Sequence, residues 1–293
     1  MKILRITIIM MSALLACACS SEQKEDIFDV PQTGYTFFEA DFESVTLDGN
    51  DAEQLWTKGT GIGVYGSVEG TNEKYSLKKA FDGKSAGEFY GAKVSGDPVM
   101  AYYPYSDDFS LFEGKLMYSL SPLQKFDGTK GLYDQFMEYA GYSYAFSSNG
   151  GRLGFGYVSG LLSVEVRLSN LETIMSVELI SKSPLAGTGA VDTDLSVSLS
   201  ESGSRTIFLD CGEGIPSKKG DEYVKFPIVM PAGTYEGIAL ALHLKDKPEI
   251  VSNLELFEVE RMEADAYHVK EVIISNGLDG FDVEVDLEFE PES

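Results

Sequence analysis

The sequence predicts an all-β protein that folds into two β-sandwich domains. Short runs of alternating apolar and polar residues recur along the chain, separated by Gly, Asp, Asn and Pro. Alternation with a period of two is typical of strands with one buried face, and the residues between the runs favour turns. The chain has 293 residues and is 43% hydrophobic, which is enough to bury two ordinary cores.

A change in composition places the boundary between the two sandwiches near residues 160–165. Nine of the 16 tyrosines lie between Tyr102 and Tyr157, whereas the chain beyond residue 165 is richer in Val, Leu, Ser and Glu. We therefore predict an N-terminal sandwich over residues 35–162 and a C-terminal sandwich over residues 163–293, each of a usual size for one hydrophobic core.

The N-terminus has the features of a bacterial export signal. Lys2 and Arg5 precede an apolar run that ends in the sequence LLACAC and is too short to span a bilayer as a helix. This ending resembles the lipobox of bacterial lipoproteins, which implies cleavage before a cysteine that is then acylated. Leu14 favours Cys17 as the lipidated residue, and Cys19 is the alternative. We assign residues 1–18 to the lipoprotein signal peptide.

Residues 19–34 are predicted to form a flexible tether because they contain few large apolar side chains. Their acidic and polar start resembles the surface-export signal of Bacteroidetes lipoproteins. The resemblance implies a location on the outward face of the outer membrane, where the acyl chains of the cysteine hold the protein.

Alternating apolar residues identify individual strands of the two sandwiches. Phe38, Ala40 and Phe42 alternate with acidic residues and form the apolar face of the first strand. The same alternation predicts further strands at Val164–Leu168, Val177–Leu179, Leu195–Leu199 and Ile238–Leu244. Residues Leu132–Tyr139 instead have apolar side chains at helical spacing, so we predict one short helix there.

The last strand of the sequence has the strictest pattern. Phe281, Val283, Val285, Leu287 and Phe289 alternate with acidic residues, so one face of the strand is apolar and the other acidic. Two interpretations stay open. The segment is either the final strand of its own domain or a strand that inserts into a groove of another subunit, where backbone pairing and alternate side chains provide affinity.

Charge and residue usage exclude several classes of function. The net charge is −24, with 47 acidic and 23 basic residues, so phosphate backbones would repel the chain and we predict no nucleic-acid binding. Two His and three Cys provide few metal ligands or nucleophiles. We therefore predict no metal, no cofactor and no enzymatic activity, and we expect Cys211 to be a small core residue.

Three local motifs have structural interpretations that compete with functional ones. Residues Gly61–Gly66 match the nucleotide-binding pattern G-x-G-x-x-G, but strand and turn residues follow where a helix would be needed, so we predict a glycine-kinked strand. Asp48–Asp51 is predicted to be a hairpin turn rather than a calcium loop. The tyrosine-rich stretch Ala101–Phe146 is either an aromatic platform for glycans or part of a core or interface.

The body of the chain resembles the fimbrillin family of Bacteroidales lipoproteins, the type V pilin group. The matching segments, in chain order, are FFEADF at 37–42, Trp56 followed by GTGIGVY at 59–65, AYYPYS at 101–106, GLL at 160–162 and FPIVMPAGTY at 226–235. Thr60 stands where the family usually has Asp, a difference that affects a turn.

The resemblance implies two transthyretin-like β-sandwiches in a lipid-anchored precursor. In stalk subunits of the family, an arginine-specific protease removes the lipidated N-terminus with its first strand, and the C-terminal strand of a neighbour fills the groove. Here Tyr35–Glu43 matches the displaced strand and Phe281–Phe289 matches the donor. No arginine occurs between Arg5 and Arg152, so we predict that the first strand is retained.

The resemblance therefore implies an anchor, tip or accessory subunit of a fimbria that contributes to fimbria assembly and cell adhesion. Its partners would be other fimbrial subunits bound by strand complementation, the outer membrane and a host protein or glycan. The alternative is a surface glycan-binding lipoprotein of a polysaccharide-uptake system, for which the tyrosine-rich stretch would supply the binding platform.

Overall fold

Nearly all secondary structure in the described part of the chain is β. The computed structural model describes residues 34–42, 45–47, 50–52, 55–67, 70–148, 151–168, 172–218, 222–247, 249–254, 257–259, 261, 269–277 and 280–286. The predicted all-β class is confirmed. The signal peptide, the tether up to residue 33, Cys17, Cys19, Leu287 and Phe289 lie outside these ranges.

The strands, numbered in chain order, are short and separated by turns. They are β1 (Tyr35–Phe42), β2 (Val45–Leu47), β3 (Asn50–Ala52), β4 (Gly61–Tyr65), β5 (Glu73–Leu77), β6 (Ala86–Ala92), β7 (Val99–Tyr103), β8 (Leu111–Phe112), β9 (Lys115–Leu120), β10 (Leu123–Lys125), β11 (Ser143–Ser147), β12 (Leu153–Phe155), β13 (Ser159–Arg167), β14 (Thr173–Ile180), β15 (Gly187–Val191), β16 (Val197–Leu199), β17 (Thr206–Pro216), β18 (Val224–Pro231), β19 (Gly233–Tyr235), β20 (Ala239–Leu244), β21 (Ile250–Asn253), β22 (Phe257–Val259), β23 (Val269–Gly277) and β24 (Gly280–Asp286). The α-helix α1 spans Leu132–Tyr139, and a 3-10 helix spans Lys79–Phe81.

The first part of the chain forms a seven-stranded sheet in the order β11-β7-β4-β5-β6-β1-β12. Neighbouring strands are antiparallel except for β1 and β12, which run parallel. The sheet curls until its two edge strands meet, where Tyr144 and Gly156 form a bridge with N–H to O distances of 2.9 and 3.0 Å.

The later strands form further sheets that also recruit strands from the first part. A five-stranded sheet has the order β10-β17-β14-β20-β21, and two four-stranded sheets have the orders β18-β13-β23-β24 and β16-β15-β9-β8. The pairs β2–β3 and β19–β22 are two-stranded. Strand β9 pairs with β15 and β10 with β17, so strands from before and after residue 162 share sheets. Strand β13 spans the predicted boundary, and the division into two domains stays a prediction.

Two hydrophobic clusters lie on opposite faces of the seven-stranded sheet. Successive side chains of a strand point to opposite faces. Along β7, Ala101 therefore joins the cluster around Trp56, whereas Met100 and Tyr102 join the larger cluster that includes the later sheets. The seven-stranded sheet is thus packed on both faces at β7.

Several local predictions are confirmed, one is wrong, and two predicted strands reach one residue beyond the observed strands, at Leu168 and Ile238. Helix α1 has the predicted bounds, β2 and β3 form the predicted hairpin, and Cys211 is buried. Leu195 was expected in a strand but lies in the turn before β16, with φ of 64° and an N–H donated to Asp192 O at 2.9 Å. The strand starts only at Val197, because β15 and β16 need this turn to pair as a hairpin.

Candidate strand-exchange site

The first strand, β1, is held between two neighbours. On one side it pairs antiparallel with β6 from Tyr35 to Asp41, and on the other it pairs parallel with β12 from Ala40 to Phe42. The second half of β1 is therefore bonded on both sides. This strand contains the Phe38, Ala40 and Phe42 face that the sequence pattern predicts.

The apolar face of β1 packs deep in the smaller hydrophobic cluster. Phe38, Ala40 and Phe42 are only 2%, 1% and 7% exposed. The Phe42 ring stacks on Trp56, with ring centroids 3.9 Å apart, and meets the edge of Tyr103 at 5.0 Å. Offset and edge-on aromatic contacts of this kind add to the free energy gained from burial.

The opposite face of β1 is fixed by charged side chains from other elements. Arg152 Nε, just before β12, donates to Asp41 Oδ1 at 2.7 Å. The ammonium group of Lys78 lies 4.5 Å from the ring centroid of Phe37 and forms an ion pair with Glu88. Exposed contacts of this kind are individually weak, so the packed face contributes most to holding the strand.

The geometry shows what loss of β1 would expose. Strands β6 and β12 would each gain an unpaired edge, and the rings of Trp56 and Tyr75 would lose their contacts with Phe42 and Phe38. An apolar groove with free backbone groups on both sides is the kind of site that a complementary strand fills. In this structure the protein's own strand occupies that position.

The C-terminal strand lies in a different sheet from β1. Strand β24 contains Phe281, Val283 and Val285, and it pairs antiparallel with β23 of the same chain. It stands at the end of the sheet order β18-β13-β23-β24. The structure thus shows this segment as an edge strand of its own sheet. The proposed donor function of the five alternating residues stays a prediction.

The tyrosine-rich stretch packs mostly inside the protein. Eight of the nine tyrosine side chains from this stretch to Tyr157 are described, and none of the eight is exposed. Tyr102, Tyr118, Tyr144 and Tyr157 are buried. Burial, with the nearby Tyr118 phenol as a smaller cause, raises the pKa of Tyr144 well above its usual value of 10.0. This placement favours the core interpretation over a glycan platform.

Residues considered for chemistry are placed in structural roles. Gly61–Tyr65 forms strand β4, as predicted for a glycine-kinked strand. Burial and the neighbouring Asp210 raise the pKa of the Cys211 thiol to about 12, which keeps the reactive thiolate scarce. His243 Nε2 lies 3.0 Å from Glu178 Oε2 on a strand face.

Two features are absent from the described residues. No helix in these ranges is long and apolar enough to cross a membrane. Likewise, these ranges contain no group of three or more His, Cys, Asp or Glu side chains placed to hold a metal ion.

Sequence reasoning missed the contacts on the outer face of β1. Arg152 and Asp41 are far apart in the sequence, and Lys78 meets Phe37 only because β6 lies between the end of β5 and β1 in the sheet. Alternation predicts which side chains share a face, but it gives no information on which strands become neighbours. Nothing in the sequence near these residues could have identified the contacts.

Comparison with known proteins adds evidence about the fold. No family model matches the chain, and no curated protein sequence matches it. A structure from Bacteroides ovatus, of a proposed cell adhesion protein, is 11% identical, covers 86% of this chain and 95% of its own, and superposes with a TM-score of 0.51.

Two fimbrial proteins from Porphyromonas gingivalis are more distant. The fimbrial anchor protein Mfa2 is 11% identical, with coverage of 85% of this chain and 95% of its own and a TM-score of 0.43. The C-terminally truncated tip fimbrial protein Mfa3 is 10% identical, with coverage of 86% and 98% and a TM-score of 0.40. The TM-score of 0.51 shows that the chain shares its fold with the proposed cell adhesion protein of Bacteroides ovatus, in agreement with the resemblance to the fimbrillin family.

Proposed function

We propose that the protein is a lipid-anchored, non-enzymatic subunit of a cell-surface fimbria that keeps its first strand and acts as an anchor, tip or accessory subunit. The lipobox-like N-terminus, with Cys17 or Cys19 as the acylated residue, provides the attachment to the outer membrane. The fold shared with a proposed cell adhesion protein supports a function in adhesion.

The observation that carries the proposal is the position of β1. This strand is paired on both sides and buries Phe38, Ala40 and Phe42, so its loss would open the sheet. The chain has no arginine between Arg5 and Arg152 at which an arginine-specific protease would release it. The mature subunit then receives no donor strand at this position, as expected of a subunit that ends or attaches a filament rather than extending it.

N-terminal analysis of the surface form tests retention of the first strand. We expect the mature chain to start at Cys17 or Cys19 with its amino group blocked by acylation. Mass spectrometry of the intact lipoprotein from outer-membrane fractions measures this. A surface form that starts beyond Glu43 would contradict the proposal.

A matched variant tests whether the missing arginine is the reason for retention. Lys58 is exposed and is the first basic residue after β1 in the sequence. In a bacterium that has the arginine-specific protease, we expect Lys58→Arg to yield a shortened form while the parent chain stays whole. An uncut Lys58→Arg chain would show that the folded sheet, rather than the absent arginine, protects the strand.

Shearing of intact cells distinguishes the fimbrial function from glycan binding. We expect the protein to co-purify with sheared filaments, or to remain with the cells as the filament's attachment, and filament yield or adhesion to fall when the gene is deleted. Affinity electrophoresis in gels that contain polysaccharides tests the glycan-binding alternative. Retardation by a polysaccharide together with unchanged filaments in the deletion strain would favour the glycan-binding alternative.

A further inference from the structure

Two strand edges meet at one side of the later sheets, where β10 ends the five-stranded sheet and β18 ends a four-stranded sheet. The side chain of Gln124 in β10 reaches across to Val229 in β18. Edge strands normally present backbone N–H and C=O groups at alternate residues, and another strand can pair with these groups. A further strand can pair here only if the backbone N–H and C=O groups that point away from the sheet are not already hydrogen-bonded.

The outward positions of β18 are the odd-numbered residues. The N–H of Ala232, which continues this strand, donates to Val158 O at 3.0 Å, so even-numbered residues direct their backbone groups towards β13. Outward N–H groups are missing at Pro227 and Pro231 because proline has none.

The outward groups of Val229 and the outward carbonyl of Pro231 on β18 are bonded to side chains of the same protein. Val229 N–H donates to Gln124 Oε1 at 3.0 Å, and Gln124 Nε2 donates to Val229 O at 2.7 Å. The Tyr235 hydroxyl donates to Pro231 O at 2.6 Å. The Gln124 amide thus makes the two bonds that a backbone residue of an added strand would make.

The edge of β10 is bonded in the same way. Phe208 N–H donates to Pro122 O and Phe126 N–H to Asp210 O, both at 2.8 Å, so even-numbered residues face β17 and odd-numbered residues face outward. Leu123 N–H donates to Ser121 Oγ at 3.2 Å, and the same hydroxyl donates to Leu123 O at 2.8 Å.

The next outward donor of β10 is bonded to the helix. Lys125 N–H donates to the hydroxyl of Tyr139 in α1 at 2.7 Å. The edge of β10 is not covered by large neighbouring side chains, since the Leu123 side chain is 52% exposed. The backbone here is close to solvent, yet its outward hydrogen bonds are made by side chains.

We propose that four side chains close this side of the protein to strand addition, including addition of a second copy of the chain, with two prolines completing the closure. The side chains are those of Ser121, Gln124, Tyr139 and Tyr235, and the prolines are Pro227 and Pro231. Any strand that joins these two sheets must then do so at their opposite ends, next to β21 or β24. The closure does not depend on a fimbrial function.

The test uses the full-length chain, removes the side-chain hydrogen bonds at the two edges and measures self-association. Cys17→Ala and Cys19→Ala first prevent lipidation, and Ser121→Ala, Gln124→Leu and Tyr139→Phe then free the outward groups. We expect concentration-dependent dimers in light scattering, with about twice the mass of the parent, as edge-to-edge pairing produces. In monomeric samples at low concentration, the Val229 amide should exchange roughly tenfold faster.

Matched substitutions elsewhere provide the control. Ser181→Ala, Gln135→Leu and Tyr105→Phe remove a turn hydroxyl, a buried amide and a phenol outside the two edges. This control should remain monomeric.

A second variant avoids the fully buried Gln124 in case its replacement prevents folding. Ser121→Ala with Tyr139→Phe changes only the β10 edge and should give weaker but measurable association. Folded variants that stay monomeric, with unchanged exchange at Val229 and Lys125, would overturn the proposal. Equal association of the control triple variant would overturn it as well.

Discussion

Gly63 illustrates how a single missing side chain permits a close contact in the sheet. A Cβ atom at this position would lie 1.9 Å from Tyr102 Cε1. The Tyr102 ring is buried against Phe109, with centroids 3.6 Å apart, and its hydroxyl donates to Ser106 O at 2.8 Å. Because these contacts fix the ring, the sheet has no room for a methyl group at residue 63.

We therefore expect Gly63→Ala to lower the free energy of unfolding by about 1–3 kcal/mol, the usual cost of overpacking a core. Gly154→Ala is the matched control, because Gly154 also lies in a strand and a Cβ there would meet no atom within 4 Å. That substitution should be neutral or slightly stabilising. Chemical denaturation of both variants checks the prediction, and equal effects would contradict it.

The glycine pattern also shows the limit of prediction at this scale. The sequence correctly indicates a strand at Gly61–Tyr65. It does not reveal that Tyr102 occupies the space beside Gly63, since that contact depends on the pairing of β4 with β7. The local spacing of residues predicts whether a segment is a strand or a helix. The pairing of strands distant in sequence explains why a particular residue, such as Gly63, is needed at its position.

Strand β1 shows the same limit of prediction at the scale of an element. Its alternation correctly predicts that Phe38, Ala40 and Phe42 are buried. Its neighbours β6 and β12 could not be predicted, because any strand with one apolar face satisfies the same pattern. Similarly, Gln124 would be assigned to the surface from its polarity alone. It is instead fully buried, and two hydrogen bonds to Val229 satisfy its side-chain amide.

The two faces of β1 should respond differently to truncation. Phe42→Ala removes a ring that packs on Trp56 and Tyr103, so we expect a loss of about 3–5 kcal/mol in the free energy of unfolding. Phe37 is 38% exposed and mainly contacts Lys78, so Phe37→Ala should cost less than about 1 kcal/mol. Urea denaturation followed by Trp56 fluorescence measures both. Similar losses would show that β1 is not held by its inner face.

At the scale of the whole molecule, many of the tyrosine side chains are buried. The large hydrophobic cluster contains Tyr65, Tyr102, Tyr118, Tyr144 and Tyr157. Acidic residues such as Glu39 are exposed. Strands β4, β7, β9 and β11, which contain four of these five tyrosines, have no acidic residue, so these tyrosines and the acidic residues lie on different strands.

Buried tyrosines should make the fold sensitive to alkali. Burial raises the pKa of both Tyr65 and Tyr75 from 10.0 to about 12. A folded-state pKa above the unfolded value stabilises the protein fully below pH 10, and this contribution is lost as the pH rises towards 12. Denaturation at a series of pH values should show the fall. Tyr75→Phe should make it shallower, and an unchanged pH dependence in that variant would contradict the assignment.

The position of β1 also has a consequence for the order in which the protein forms. This strand is synthesised before its partners, which lie at Ala86–Ala92 and Leu153–Phe155. Pairing between segments so distant in sequence is slow because a long loop must close first. The apolar side chains of β1 therefore remain without their partners until residues much later in the sequence have been synthesised. The strand nearest the N-terminus is among the last to complete its sheet.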